Sequence, residues 1–230
     1  MYKGLTISVV IPCFNEEAGV AHVLRGMPGY VDEVIVVDNN STDGTAEVAC
    51  ALGARVIFER CEGYGSAYLA GLPAATGDII ATVDGDGTYP SAAIAPLIDE
   101  LLAGGLDFIS ASRFPLRDPR AMRRRNVLGN QVLTWTARLL YWRWIADSQS
   151  GMWVFRRHCL RWLRPRERGM AFSEELKLEA LHAPQVRFGE RPVSYHERIG
   201  ETKLFTWRDG FKNLLFLFRY RLRRRGRPHP

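Results

Sequence analysis

Asp78-Ile-Ile-Ala-Thr-Val-Asp-Gly-Asp-Gly-Thr-Tyr-Pro90 is the stretch that decides the fold. Its opening six residues form a β-like apolar run. Asp84 and Asp86 then stand one glycine apart, so both carboxylates converge beyond the strand's carboxyl end. Oxygen-only ligands suit Mg2+ or Mn2+, which keep several waters and bind through one or two carboxylates plus substrate phosphates. Gly85 and Gly87 permit a tight turn beside such a ligand, and Pro90 can open the next helix. Taken alone, an Asp-x-Asp pair also describes a solvated acidic turn. Its meaning rests on its neighbours.

Upstream, Leu5-Thr-Ile-Ser-Val-Val-Ile11 is a strand ended by Pro12, and Asn15 caps a helix begun by Glu16 and Glu17. Glu33-Val-Ile-Val-Val-Asp38 is a second strand, running into the polar loop 39–45 and a helix through Glu47, Val48 and Leu52. Residues 54–58 read as a third strand. Gly63-Tyr-Gly-Ser-Ala67 opens a helix that either presents N–H groups to phosphate or packs closely on the sheet. Downstream come a helix over 90–103 and a strand over 106–112. Near-continuous β-branched runs alternating with helices specify an α/β fold, a mostly parallel sheet covered on both faces. Ligands of such sheets collect at the carboxyl ends of the strands, where Pro12, Asn15, Asp38, Asp84 and Asp86 all fall.

"SVVIPCFNEE", "VIVVDNNSTDGT" and "VDGDGTYP", in this order and spacing, resemble the nucleotide-sugar-binding half of family 2 glycosyltransferases over residues 5–115. The resemblance implies a GT-A fold. It implies that Pro12, Asn15 or Glu16, and Asp38 contact the nucleoside, and that Asp84 and Asp86 hold Mg2+ or Mn2+ bridging the diphosphate. "SASRF" is similar to the strand-end Ser-Arg of the polyprenyl-phosphate branch, which includes dolichyl-phosphate mannosyltransferases. By that likeness Arg113 faces an acceptor phosphate, which a planar guanidinium suits. Asp147-Ser-Gln-Ser-Gly151 resembles the D-x-x-S-G of the same branch, with Asp147 as a general base or an orienting group. Arg198, Gly200, Thr202, Lys203 and Leu204 match its R-x-G-x-[ST]-K-L segment, implying that Lys203 meets substrate phosphate, with Arg125 as a third acceptor contact. Thr88 and Tyr89 depart from the mannosyltransferase pattern, where an amide would follow the second metal Asp by two residues. Thr88 can reach the cation directly or through water, and the donor is a UDP-sugar as readily as GDP-mannose.

The chain has 230 residues, 47% hydrophobic and 24% charged, enough for one large core. Four cysteines without C-x-x-C spacing read as reduced packing residues of a cytosolic protein, and five scattered histidines make a zinc site a poor reading. The net charge of +6 resides in residues 219–230, which hold six arginines and no acid. No signal peptide opens the chain, and no apolar run approaches the ~20 residues that span a bilayer. The basic loop 117–125 leads into a helix over 126–144. Its apolar positions Val127, Val132, Trp135, Leu139 and Trp142 suit either the core or a membrane interface. Ser173 reads as an N-cap, with Glu174 and Glu175 at the positive helix end. Residues 209–225 read as an amphipathic basic segment that meets anionic headgroups or solubilises a disordered tail.

These readings divide the chain into a nucleotide-sugar half (1–115), an acceptor half (116–205) and an amphipathic basic C-terminal segment (206–230). The expected activity is metal-dependent, inverting transfer of a hexose from a nucleoside diphosphate sugar to a polyprenyl phosphate. It would occur on the cytoplasmic face of a membrane, by peripheral attachment and without nucleic acid as a partner. The alternatives are a family 2 transferase acting on a glycan hydroxyl and a non-catalytic sugar-nucleotide-binding subunit.

Overall fold

The computed structural model describes residues 1–200 and 206–225, with side chains over 1–200 and 208–223. Seven strands, β1 (Ile7–Cys13), β2 (Glu33–Asp38), β3 (Arg55–Phe58), β4 (Ile79–Thr82), β5 (Phe108–Ser112), β6 (Trp153–Arg156) and β7 (Phe188–Pro192), form one sheet in the order β3-β2-β1-β4-β6-β5-β7. Strands β1 to β4 are mutually parallel, and β5 is parallel to β7. Strand β6 runs antiparallel to both β4 and β5. A strand antiparallel to each neighbour leaves those neighbours parallel to one another. The carboxyl ends of β1, β2, β4, β5 and β7 therefore share one edge with the amino end of β6.

Helices α1 (Glu17–Arg25), α2 (Thr45–Ala51) and α4 (Ile94–Ala103) cover one face. Val20, Val23, Ala49, Leu97 and Leu101 pack there against Val9, Ile11, Val36, Ala81 and Ile109. Helices α3 (Tyr64–Ala74) and α6 (Phe172–His182) cover the other, with Tyr68, Leu72, Phe172 and Leu176 against Val10, Val37, Ile80 and Trp153. Such two-sided cover is why the strands read as unbroken apolar runs rather than alternating ones. The first core includes Val154 and Val193 beside Val9, so both sequence halves share a sheet and its interior.

A third cluster lies outside the sheet. Helix α5 (Arg124–Tyr141) packs Leu133, Ala137 and Tyr141 against Phe216, Leu217 and Tyr220 of α7 (Thr206–Arg225). The C-terminal segment is thus a single helix over its described residues, with one face on the protein.

Three local expectations are corrected and one strand is added. Asn15 does not cap α1: it adopts a left-handed φ of 53°, and Glu16 takes the cap position. Ser173 lies inside α6, its hydroxyl donating to the Met170 carbonyl, while Glu174 and Glu175 stand in the first turn as expected and are buried there. Cys50 and Cys61 are exposed, although Cys13 and Cys159 are buried. Strand β7 went unread, because Phe188-Gly-Glu-Arg-Pro192 is too polar and Gly/Pro-broken to signal a strand by periodicity. Among the described residues no helix is long and apolar enough to cross a membrane.

Candidate active site

The shared sheet edge gathers residues far apart in sequence. Asp84 and Asp86 leave the end of β4, Asn15 and Glu16 follow β1, Asp38 ends β2, Arg113 follows β5, and the 147–151 loop enters β6.

Asp86 is buried, and each of its oxygens has a partner while Oδ2 keeps acceptor capacity. Its Oδ1 accepts the Thr88 backbone N–H at 3.0 Å and the Thr88 hydroxyl at 2.7 Å, and its Oδ2 lies 2.8 Å from Arg198 Nη1. Arg198 Nη2 pairs with Glu16. The segment carrying Arg198 is laid along the acidic turn by His196 N–H donating to Thr88 O and Ile199 N–H to Asp86 O, both at 2.9 Å. Asp84 is partly exposed, and Tyr64 donates its hydroxyl to Asp84 Oδ1 at 3.2 Å. Although the residue keeps some exposure, desolvation of its carboxyl by the protein packed around it, and then the Asp86 charge, push that carboxyl up to about 7.

Two carboxylates held together in a desolvated place fit a hard divalent cation. Among the described residues no three His, Cys, Asp or Glu side chains converge on a metal position. Such a cation would fill its remaining positions with water and phosphate oxygens, the usual arrangement for Mg2+. Thr88, expected as a further contact to the cation, braces the Asp86 carboxylate in this arrangement.

Two glycines create the room. A Cβ on Gly19 of α1 would sit 2.4 Å from the Gly85 carbonyl oxygen, so α1 lies directly against the acidic turn. A Cβ on Gly151 would come within 2.3 Å of the Tyr64 hydroxyl and 3.1 Å of both Asp84 oxygens.

At the β1/β2 end, Asn15 Oδ1 accepts the Thr42 N–H at 2.7 Å, its own N–H donates to Ser41 Oγ at 2.9 Å, and Asp38 Oδ1 accepts the Ser41 N–H at 3.1 Å. These bonds tie the 39–45 loop to the strand ends. Pro12 is partly exposed at the end of β1, and Glu16 belongs to the Arg198 pair.

Arg113 and Asp147 form a buried bidentate pair. Arg113 donates from Nε to Oδ2 at 2.7 Å, from Nη2 to Oδ1 at 2.8 Å, and from its backbone N–H to Oδ2 at 3.0 Å. Gln149 N–H also donates to Oδ1, at 3.0 Å. The guanidinium stands 5.5 Å from the Tyr195 ring centroid. Burial alone would raise the Asp147 pKa, but the Arg113 charge and hydrogen bonds outweigh it and hold the carboxyl at about 2. A carboxylate so acidic is a weak proton acceptor at neutral pH. Of the two chemical parts open to Asp147, the geometry matches orientation of Arg113 and opposes the general base.

The sequence reading missed what lies beneath this loop. Lys177 of α6 is buried, and its Nζ donates to the carbonyls of Asp147 at 2.7 Å and Ser150 at 3.1 Å. Burial draws its pKa down to about 8 against the opposing pull of Asp147 and Glu190. Glu174 accepts from the Gln149 side chain, and burial raises its pKa well above the carboxylate range. In the sequence Tyr64 stands between two glycines with no signal of a partner. Only the fold turns it onto Asp84. Of the remaining expected contacts, Arg125 is exposed in the first turn of α5, and Lys203 lies outside the described residues.

A recess of about 420 Å3 opens beside the acidic turn, lined in part by His22, Gly87, Tyr89, His196 and Ile199.

The family description Glycosyl transferase family 2 matches residues 8–162. The chain is 33% identical over 227 residues to the low-salt glycan biosynthesis hexosyltransferase Agl6 of Haloferax volcanii, covering 92% of this chain but only 53% of that protein. This chain thus spans about half the length of that relative. It is 34% identical over 204 residues to the dolichyl-phosphate hexose transferase of the same organism, covering 86% of each. Among solved structures, glucosyl-3-phosphoglycerate synthase from Mycobacterium tuberculosis, in complex with Mn2+, UDP and phosphoglyceric acid, superposes with a TM-score of 0.74. The two are 25% identical, with 98% of this chain and 80% of that chain covered.

Proposed function

The chain belongs to glycosyl transferase family 2, and we propose that it moves a hexose, with inversion, from a nucleoside diphosphate sugar to a polyprenyl (dolichyl-type) phosphate. The observation that carries this is the pairing of Arg113 with an Asp147 too acidic to serve as a base. An acceptor phosphate is already ionised and needs none. The named dolichyl-phosphate relative supports the same acceptor class, and the neighbour's UDP and Mn2+ support a UDP-sugar with Mn2+ or Mg2+.

Asp84 and Asp86 would hold the cation, which when bound neutralises charge on the departing diphosphate. Pro12, Asn15, Glu16 and Asp38 line the nucleoside end. Arg113, fixed by Asp147, binds the acceptor phosphate together with Arg125 and Lys203. Catalysis then rests on positioning and on fixed charge rather than on proton transfer. Attachment would be peripheral, on the cytoplasmic face of a membrane.

A second reading, transfer to the hydroxyl of a soluble phosphate-bearing acceptor, is favoured by the neighbour's phosphoglyceric acid. It requires another base than Asp147.

The test is incorporation of labelled sugar from UDP-glucose, UDP-N-acetylglucosamine or GDP-mannose into an organic-extractable product, with purified protein, polyprenyl phosphate and Mg2+ or Mn2+. An EDTA-sensitive signal from one donor is expected. Transfer to phosphoglyceric acid without any lipid product would shift the assignment to the hydroxyl acceptor.

A further inference from the structure

We infer that the outer faces of α5 and α7 form a docking surface for an anionic lipid bilayer. The inference deepens the lipid-phosphate reading and rests on it for the choice of a bilayer among apolar partners.

Each helix buries one stripe against the other and turns a second apolar stripe to solvent. On α5 the exposed stripe is Leu128, Val132, Trp135 and Leu139, continued by Trp142 and Trp144. On α7 it is Phe211, Leu215, Phe218 and Leu222. Trp142 is 87% exposed yet sits at a left-handed φ of 53°, a conformation that bulky residues rarely adopt. It closes α5 as the left-handed C-cap, its N–H donating to the Arg138 carbonyl at 2.9 Å. Arg138 stacks on the neighbouring indoles, 4.8 Å from the Trp135 centroid and 3.8 Å from that of Trp144. Exposed indoles set among arginines match the headgroup region, where an aromatic body is apolar and its edge wet.

Charge selects the occupant. No acid occurs between Asp118 and Asp147, whereas Arg124, Arg125 and Arg143 are exposed, and α7 adds Arg208, Lys212 and Arg219 against the single Asp209. Anionic headgroups complement this face. A second copy meeting it by two-fold symmetry would set arginine against arginine.

The inner faces of the same helices reach the site. Thr134 of α5 exchanges hydrogen bonds with Ser148 at 3.1 Å, and Asn213 of α7 donates to the Gln149 side chain at 2.7 Å. The proposed lipid surface therefore backs directly onto the loop that holds Asp147 and Arg113.

The test uses the full chain and vesicles of phosphatidylcholine mixed with phosphatidylglycerol, containing no polyprenyl phosphate. Brominated acyl chains should quench the tryptophan fluorescence. The variant Trp135→Ala/Leu139→Ala/Trp142→Ala should partition at least about tenfold more weakly, with an unchanged circular dichroism spectrum. Unquenched tryptophan on sedimented vesicles, or unaltered partition of the variant, would overturn the surface. So would a wild-type dimer that the variant converts to monomer while vesicle binding stays the same, which would assign the stripe to a second copy. Intact docking without sugar transfer to polyprenyl phosphate would overturn the acceptor reading alone.

Discussion

At the residue scale, two carboxylates stand in opposite electrostatic environments. Asp84 is pushed up by burial beside Asp86, whereas Asp147 is drawn down to about 2 by Arg113. Neutralising Asp84 or Asp86 by Asp→Asn should lower transfer by ~100-fold or more, read as initial rates across a Mn2+ titration. Rates equal to wild type would remove the pair from the chemistry. Asp147, with an ordinary value of 3.8, has a depressed folded pKa. Its stabilisation is therefore complete above that ordinary value and disappears as pH falls through about 2. That difference is worth about 2 kcal/mol. Urea midpoints measured stepwise over this acid window should fall in the wild type and stay flatter in Asp147→Asn, which starts about 3 kcal/mol lower because Arg113 loses its charged partner. A parallel fall in both proteins would show that Asp147 is not the titrating group. Gly151→Ala would drive a methyl into the Tyr64 hydroxyl. Its loss of activity should be partly rescued by Tyr64→Phe, and a rescue that failed in the double variant would place the damage elsewhere.

At the element scale, the 147–151 loop is held from three helices. Lys177 and Glu174 of α6 lie beneath it, Thr134 of α5 and Asn213 of α7 beside it. Lys177→Met would leave the Asp147 and Ser150 carbonyls unbonded. It should lower kcat by ~10- to 100-fold through misplacement of Arg113, with the donor KM little changed. A change confined to the donor KM would mean that the loop serves the nucleotide instead. The Lys177 charge costs the fold most below about 8 and is relieved as pH rises towards its ordinary 10.5. Helix α5 shows an element legible in the sequence whose orientation the sequence leaves open between the core and a membrane interface. Val132, Trp135, Leu139 and Trp142 were recognised as a helical stripe, yet they face solvent, and the less apolar set Leu133, Thr134, Ala137 and Tyr141 is buried.

At the scale of the whole molecule, the excess charge lies at one end of the chain, and the charges of the remaining residues sum to zero. Removing residues 219–230 outright would also remove Tyr220, which packs against α5 and donates to Glu179 at 2.6 Å, and Arg223, which pairs with Glu175 at 3.0 Å. Substituting Arg219, Arg221, Arg224, Arg225 and Arg227 by Gln spares both. It should weaken binding to anionic vesicles by about 1 kcal/mol per charge at low salt. Partition measured against ionic strength should lose part of its salt dependence, the rest remaining with Arg124, Arg125, Arg143, Arg208 and Lys212, and an unchanged slope would exclude electrostatic anchoring by the tail.

The sequence by itself determined the α/β class, the order of strands and helices from β1 to β5, and the carboxylates that end β2 and β4. Each is written in a short run: a β-branched stretch, a glycine turn, an acid placed at a strand end. The tertiary structure alone decided that β6 enters the sheet antiparallel, that a polar segment becomes β7, and that Asp147 meets Arg113 across 34 residues of chain. It also turned Lys177 inward and one α5 stripe outward. The physical reason is that local propensity extends over a few residues, whereas burial of a charge or of a helix face is settled by whichever distant element packs against it.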